Sequence, residues 1–171
     1  PIDVIAFATE LEISGVVSAD NIKRWKGYLS NINHEITYNV YAKSQSDTLN
    51  NIALFTAVSE FFRFKMGCNC SMDFIEMQIS TQLKRFDENG MYMDNIREDV
   101  HQPMCYDNVS KLLFSLLLFA GYRGKYYKKI DNFLKKSGLL SLKMQSVTGE
   151  IPFGGRSNQF LFNEAILSSI F

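Results

Sequence analysis

The stretch Pro103-Met-Cys-Tyr-Asp-Asn-Val-Ser-Lys-Leu-Leu-Phe-Ser-Leu-Leu-Leu-Phe-Ala-Gly-Tyr122 decides the fold class. Proline suits the first turn of a helix, where its missing N–H costs nothing. The residues that follow predict one long helix reaching Tyr122. From Leu112 to Ala120 that helix is apolar nearly all round, so it must be covered on most sides. The run is about half the ~20 residues that a membrane span needs. It reads as the buried centre of a helical assembly.

Working outward toward the N-terminus, Ser71 can cap a helix whose inward face is Phe74, Ile75, Ile79, Leu83 and Phe86. Asp87-Glu-Asn-Gly90 is a strong turn signal that ends it, and 91–102 reads as a polar loop. Before it, a helix starting at Asp47 carries Ile52, Phe55, Val58, Ser59 and Phe62 as its stripe and stops at Gly67. Residues 33–45 lack a helical period and read as loop or extended chain. Ser18 or Asp20 can cap a helix through Ile22, Trp25 and Leu29. Residues 2–13 suit a short buried helix that Ser14-Gly15 breaks.

Toward the C-terminus, Gly124 opens a helix from Tyr126 to Lys136, and Gly138 separates it from Leu139–Met144. A turn-rich loop follows, then a last helix near Ser157. The sum is an all-α chain of antiparallel helical hairpins, a single domain over 1–171. The long loops at 33–45, 91–102 and 146–157 are where a site is expected. The chain begins without Met and stops at Ser168-Ser-Ile-Phe171 inside an apolar-periodic stretch, without a cap or polar tail, so it is expected to be a fragment of a longer protein.

Composition narrows the function classes. With 46% hydrophobic residues the chain can bury a core and is not disordered. Eighteen basic and eighteen acidic residues cancel, so no net field recruits nucleic acid or anionic lipid, and neither partner is expected. Cys68, Cys70 and Cys105 cannot all pair, which argues against a disulfide framework. Cys68-x-Cys70 with His101 and Cys105 lacks the C-x-x-C spacing of structural zinc, so no metal or other cofactor is expected. Pro1-Ile2-Asp3 shows no basic n-region of a signal peptide, and the compartment stays open.

Chemistry has three candidate locations. The first is Thr148-Gly-Glu-Ile-Pro-Phe-Gly-Gly-Arg-Ser-Asn-Gln-Phe-Leu-Phe-Asn-Glu-Ala165. Gly154-Gly155 permits close backbone approach to a ligand, and Arg156 offers a planar fork suited to a carboxylate. Ser157 or Asn158 can cap the helix, Gln159 and Asn163 share one face, and Glu164 lies just beyond. A uronate carboxylate held by Arg156 is one reading; a Gly-Gly turn with a structurally paired Arg is the other. The second location is the mouth of the central helix. There Tyr106 and Asp107 can serve as acid or base and Asn108 can donate to a carboxylate, although Asp107 also suits a first helical turn for the helix dipole alone. The third is the two histidines, His34 and His101, each a potential proton shuttle or a merely solvated loop residue. No nucleophile elbow, P-loop, dinucleotide fingerprint or H-E-x-x-H occurs.

Several segments in order, Leu49-Asn-Asn-Ile-Ala-Leu-Phe, Gly90-Met-Tyr-Met-Asp, Pro103-Met-Cys-Tyr-Asp, Leu142-Lys-Met-Gln-Ser and Thr148 through Asn163-Glu-Ala, resemble bacterial α/α-toroid glycoside hydrolases and uronate-cleaving polysaccharide lyases. The resemblance covers roughly residues 45–165, and Gly-Gly-Arg-Ser-Asn-Gln with Asn-Glu-Ala is its specific part. It implies part of a ring of helical hairpins with a cleft at one end. It also implies an oligo- or polysaccharide partner, acidic or rhamnose-containing. Substrate contacts would fall at Asn51, Arg156, Asn158, Gln159 and Asn163. The relatives carry polar residues where this chain has Phe160-Leu161-Phe162, a departure that bears on sugar binding.

In the lyase version Arg156 and Asn158 hold the carboxylate while Tyr106 or His34 moves the proton. In the hydrolase version two carboxylates from Asp107, Glu150 and Glu164 flank the scissile bond. The competing expectations are a noncatalytic helical module that binds a glycan or a protein, and an inactive structural fragment.

Overall fold

The computed structural model describes residues 15–38, 51–94 and 104–150, and the chain is all-helical over them. The elements are α1 (Ala19–Ser30), α2 (His34–Thr37), α3 (Ile52–Lys65), α4 (Met72–Leu83), α5 (Met104–Phe119) and α6 (Tyr127–Met144). The helix expected over 2–13, the Asp47 start and the helix expected from Ser157 lie outside the described residues.

Helix starts follow local side-chain chemistry. Ser18 Oγ accepts the Asn21 N–H at 3.4 Å, and Ser71 Oγ accepts the Phe74 N–H at 3.2 Å. The segment expected to be loop or extended at 33–45 begins instead with the short helix α2. There Asn33 acts as cap, its Oδ1 taking the Glu35 N–H at 2.9 Å.

α3, α4 and α5 form the centre. Leu54, Ala57, Val58 and Phe61 of α3 meet Ile75, Ile79 and Leu83 of α4 and Leu113, Phe114 and Leu117 of α5, all buried. Each of these side chains larger than Ala57 contributes roughly 1.5–3 kcal/mol when fully withdrawn from water. The buried stripe of α3 is therefore rotated from the expected one. Phe55 is 40% exposed, because the i, i+3, i+4 and i+7 positions counted from Leu54 face two helices at once.

Contacts at both ends fix the direction of α4 against α5. Tyr92, just beyond the α4 C-terminus, donates its N–H to Asp107 in the first turn of α5 at 2.7 Å, while the Tyr122 hydroxyl beyond the end of α5 donates to Glu76 Oε1 near the start of α4 at 3.2 Å. α6 returns antiparallel along α5, with Ile130 in the core and Ser141 beside Lys111.

Two glycines behave differently from each other. Gly138 was expected to separate two helices but lies buried inside α6, which runs on to Met144. Its ~1 kcal/mol propensity cost is small beside the packing of the helix around it. Gly90 has φ +91°, and a Cβ there would sit 2.9 Å from the Ser137 backbone nitrogen of α6, so only glycine permits this turn to press against that helix. Nor is the start of 91–102 an open polar loop. Asp87 Oδ1 accepts the N–H groups of Asn89 and Met91, and the Met93 N–H reaches the Arg85 carbonyl. Together these fold Tyr92 back into the core, where it is 1% exposed.

Candidate functional site

The antiparallel order gathers three distant segments at one end of the bundle: the start of α3, the 85–94 turn after α4, and the first turn of α5. Asn51 lies buried there, and its backbone N–H donates to Asp94 Oδ1 at 3.3 Å. Asp94 is half-buried, and its carbonyl accepts from the Arg85 guanidinium at 2.7 Å. Tyr106 is half-buried on the opening turn of α5. Because α6 runs antiparallel to α5, the Ser146–Glu150 turn lies at this same end. That turn is closed by Ser146 N–H to the Glu150 carbonyl at 2.8 Å, and Glu150 is exposed on it.

Asp107, proposed above as a general acid or base, turns inward and is 1% exposed. One carboxylate oxygen accepts the Tyr92 N–H and the other forms an ion pair with the buried Lys111, whose ammonium also donates to Ser141 Oγ at 2.8 Å. Burial pushes the carboxyl up from its ordinary value, while Lys111 and the Tyr92 amide pull it down. A group closed off in this way cannot meet a sugar; it holds the 90–94 segment against α5. Asn108 is likewise buried, at 3% exposure. Around the pair, the Tyr92 hydroxyl donates to Gln82 Oε1, and burial drives the Tyr92 phenol well up. Ser137 Oγ donates to the Gly90 carbonyl.

His34 sits elsewhere. It packs on Phe74 at the start of α4, with ring centroids 4.7 Å apart, and Tyr38 stacks on the same Phe74 at 6.1 Å. The twelve residues of α4 span about 18 Å, so His34 and Tyr106 stand at opposite ends and cannot serve one substrate carbon. A polar cavity of about 480 Å³ opens at the His34 end, lined by Asn31, Asn33, Glu35, Asn69 and Cys70 among others. Behind it the buried Glu60–Arg63 pair anchors α1, with the Arg63 fork donating to the Leu29 carbonyl at 2.8 Å and the Ile32 carbonyl at 2.7 Å. Burial, reinforced by Glu60, pushes the Tyr38 phenol from 10.0 to about 12 and the Cys70 thiol from 9.0 to about 12. Cys70 is thus no thiolate nucleophile at neutral pH.

Arg156, Asn158, Gln159, Asn163, Glu164 and His101 lie outside the described residues, as do Phe160–Phe162. Among the described residues no three His, Cys, Asp or Glu side chains group as metal ligands. The imagined cysteine site is also divided: Cys68 and Cys70 lie between α3 and α4, while Cys105 is buried on α5 at the other end. No described helix is long and apolar enough to cross a membrane.

Sequence reasoning passed over Asp94 and Arg85 as site residues. Asp94 closes the Gly90-Met-Tyr-Met-Asp segment, and that position was its available signal; Arg85 had none, since an Arg at a helix end usually faces water. No protein family, curated protein or solved structure matches the chain.

Proposed function

We propose that this chain is a carbohydrate-active module whose site lies at the Asn51–Asp94–Tyr106 end, acting on a uronate-containing polysaccharide by elimination, and that its hairpins form part of an α/α toroid. The observation that supports this is the gathering there of segments that carry the family resemblance: Asn51, the Gly90–Asp94 turn and Tyr106. The sealed position of Asp107 removes one of the three carboxylates proposed for hydrolysis, while Tyr106, the base of the elimination, stays half-buried at the end of the bundle.

In the elimination, the Tyr106 side-chain oxygen takes the proton from the carbon α to the uronate carboxylate. The bond from the β-carbon to the bridging oxygen then breaks, a double bond forms between the α- and β-carbons, and a proton returns to the departing oxygen. Arg156 and Asn158 hold the carboxylate, as the resemblance implies. Asp94, fixed by Asn51 and Arg85, keeps the loop that borders Tyr106 in place.

The test is incubation with uronate-containing and rhamnose-containing polysaccharides, following the ultraviolet absorbance of unsaturated uronate ends alongside new reducing ends. Both signals rise together for a lyase; reducing ends alone indicate hydrolysis and point to Asp94 or Glu150 with Glu164. Tyr106→Phe lowers turnover by about a hundredfold or more. Turnover by Tyr106→Phe at the parent rate removes Tyr106 from the mechanism, and no product from any acidic glycan defeats the proposal.

A further inference from the structure

Charge that cancels over the chain is segregated in the fold. Seven of its eighteen basic residues and only one of its eighteen acidic residues fall between 123 and 143, leaving eleven basic against seventeen acidic elsewhere. All seven cations are exposed, and the single acid, Asp131, is engaged by Lys135 at 2.7 Å. On α6, Lys129, Lys136 and Lys143 recur every seventh residue and form one ridge, with Lys128 and Lys135 alongside it. The ridge begins at two aromatic platforms. Arg123 lies 4.5 Å over the Tyr127 ring and Lys125 lies 5.3 Å over Tyr126. Leu139 and Leu142, 60% and 50% exposed, flank its far half.

We infer that the outer face of α6 is a docking surface for an extended acidic polysaccharide, which it leads toward the Tyr106 end; this rests on the proposed glycan activity. Charge spacing selects the partner. Successive lysines of the ridge are about 10.5 Å apart along the axis, a spacing that meets roughly every second carboxylate of a polyuronate chain. Duplex DNA carries a charge every ~1.7 Å and is matched by denser basic surfaces. The acidic excess over the rest of the chain also repels a dense polyanion. Rings and exposed leucines beside the lysines suit the alternating polar edges and apolar C–H faces of sugar rings. The direction follows from topology, since Lys143 ends α6 next to the turn that carries Glu150.

The experiment measures binding of the whole chain to polygalacturonate, to amylose of matched length, to single-stranded DNA and to phosphatidylserine vesicles, at low and moderate salt. Polygalacturonate binds, weakening as salt rises, and amylose does not. The triple variant Lys129→Glu, Lys136→Glu, Lys143→Glu loses binding by on the order of tenfold or more with unchanged helicity, whereas Lys23→Glu on α1 binds as the parent does. The corresponding Lys→Gln triple loses less and guards against misfolding of the charge-reversed chain. Tyr106→Phe separates the two proposals. If it and the parent both bind polygalacturonate but neither turns over any glycan, the docking surface stands and the activity falls. Undiminished binding by both triple variants overturns the surface. Tighter binding of DNA or vesicles than of polygalacturonate at equal salt overturns the polysaccharide as its partner.

Discussion

Among the described residues two ion pairs are buried, one toward each end of the bundle, and they work differently. At the His34 end, Glu60 and Arg63 are three apart on α3, and the guanidinium gives two further donors to backbone carbonyls around the end of α1. At the Tyr106 end, Asp107 and Lys111 are four apart on α5; here the acid reaches out to the Tyr92 amide, and the lysine donates to Ser141. In each case the two charges are local in sequence while the groups they organise are distant. The lesson is that a buried pair can serve as a clip: its mutual attraction roughly offsets desolvation, and the outward hydrogen bonds fix a loop. The Arg63 fork supplies three directed interactions at once, which a lysine cannot do.

The sharpest way to break the comparison is Arg63→Met. It strands Glu60 in the core and frees the α1 carbonyls, so a loss of about 5 kcal/mol in denaturant unfolding is expected. A loss below about 1 kcal/mol would show that α1 is docked by apolar contact alone.

Next comes Lys111→Met, expected to cost about 3 kcal/mol because Asp107 is left unpaired. Adding Asp107→Asn keeps an acceptor for the Tyr92 amide and removes the orphaned charge. The double variant should return to within about 1–2 kcal/mol of the parent. If the double variant is as unstable as the single, the pair contributes more than it costs to bury.

A smaller effect distinguishes the two ends by pH. Cys70 and Tyr38, beside Glu60, hold their protons in the fold up to about pH 12, whereas the ordinary values are 9.0 and 10.0. Between those limits the unfolded chain binds fewer protons than the folded one, so stability falls as pH rises. The contribution is complete below pH 9.0 and is lost on approaching about 12. Cys70→Ser should flatten this alkaline decline in thermal melts; an unchanged slope would remove Cys70 as a source of it.

The smallest effect belongs to the exposed pair Asp131–Lys135, also four apart on a helix. Lys135→Ala should leave the melting temperature unchanged within error, because water screens what the core does not. A measurable drop would mean that helix spacing itself, and not burial, sets the strength of the interior pairs.

These three pairs show what was legible. Glu60 with Arg63, Asp107 with Lys111 and Asp131 with Lys135 look alike as written, each a helical neighbour pair. Only the two interior ones matter to the fold, and only packing separates them from the third. The sequence left Asp107 open as an acid or base or as a first-turn residue, because an aspartate beside a tyrosine there gives no hint that the 90–94 segment will close over it. Phe55 and Gly138 failed for the same reason. A stripe read along one helix cannot know that α3 faces two partners, and a glycine's propensity cost is overruled by the helix packed around it.

By itself the sequence determined the all-helical class, the cap at Ser71, the inward face of α4 and the burial of much of α5, Phe119 at its end excepted, because hydrogen bonding to a helix start and apolar periodicity act within a few residues. Tertiary structure alone decided that Asn51, Asp94 and Tyr106 share an end and that His34 does not. Those facts depend on the direction of one helix against another, which is set by contacts between residues far apart in the chain.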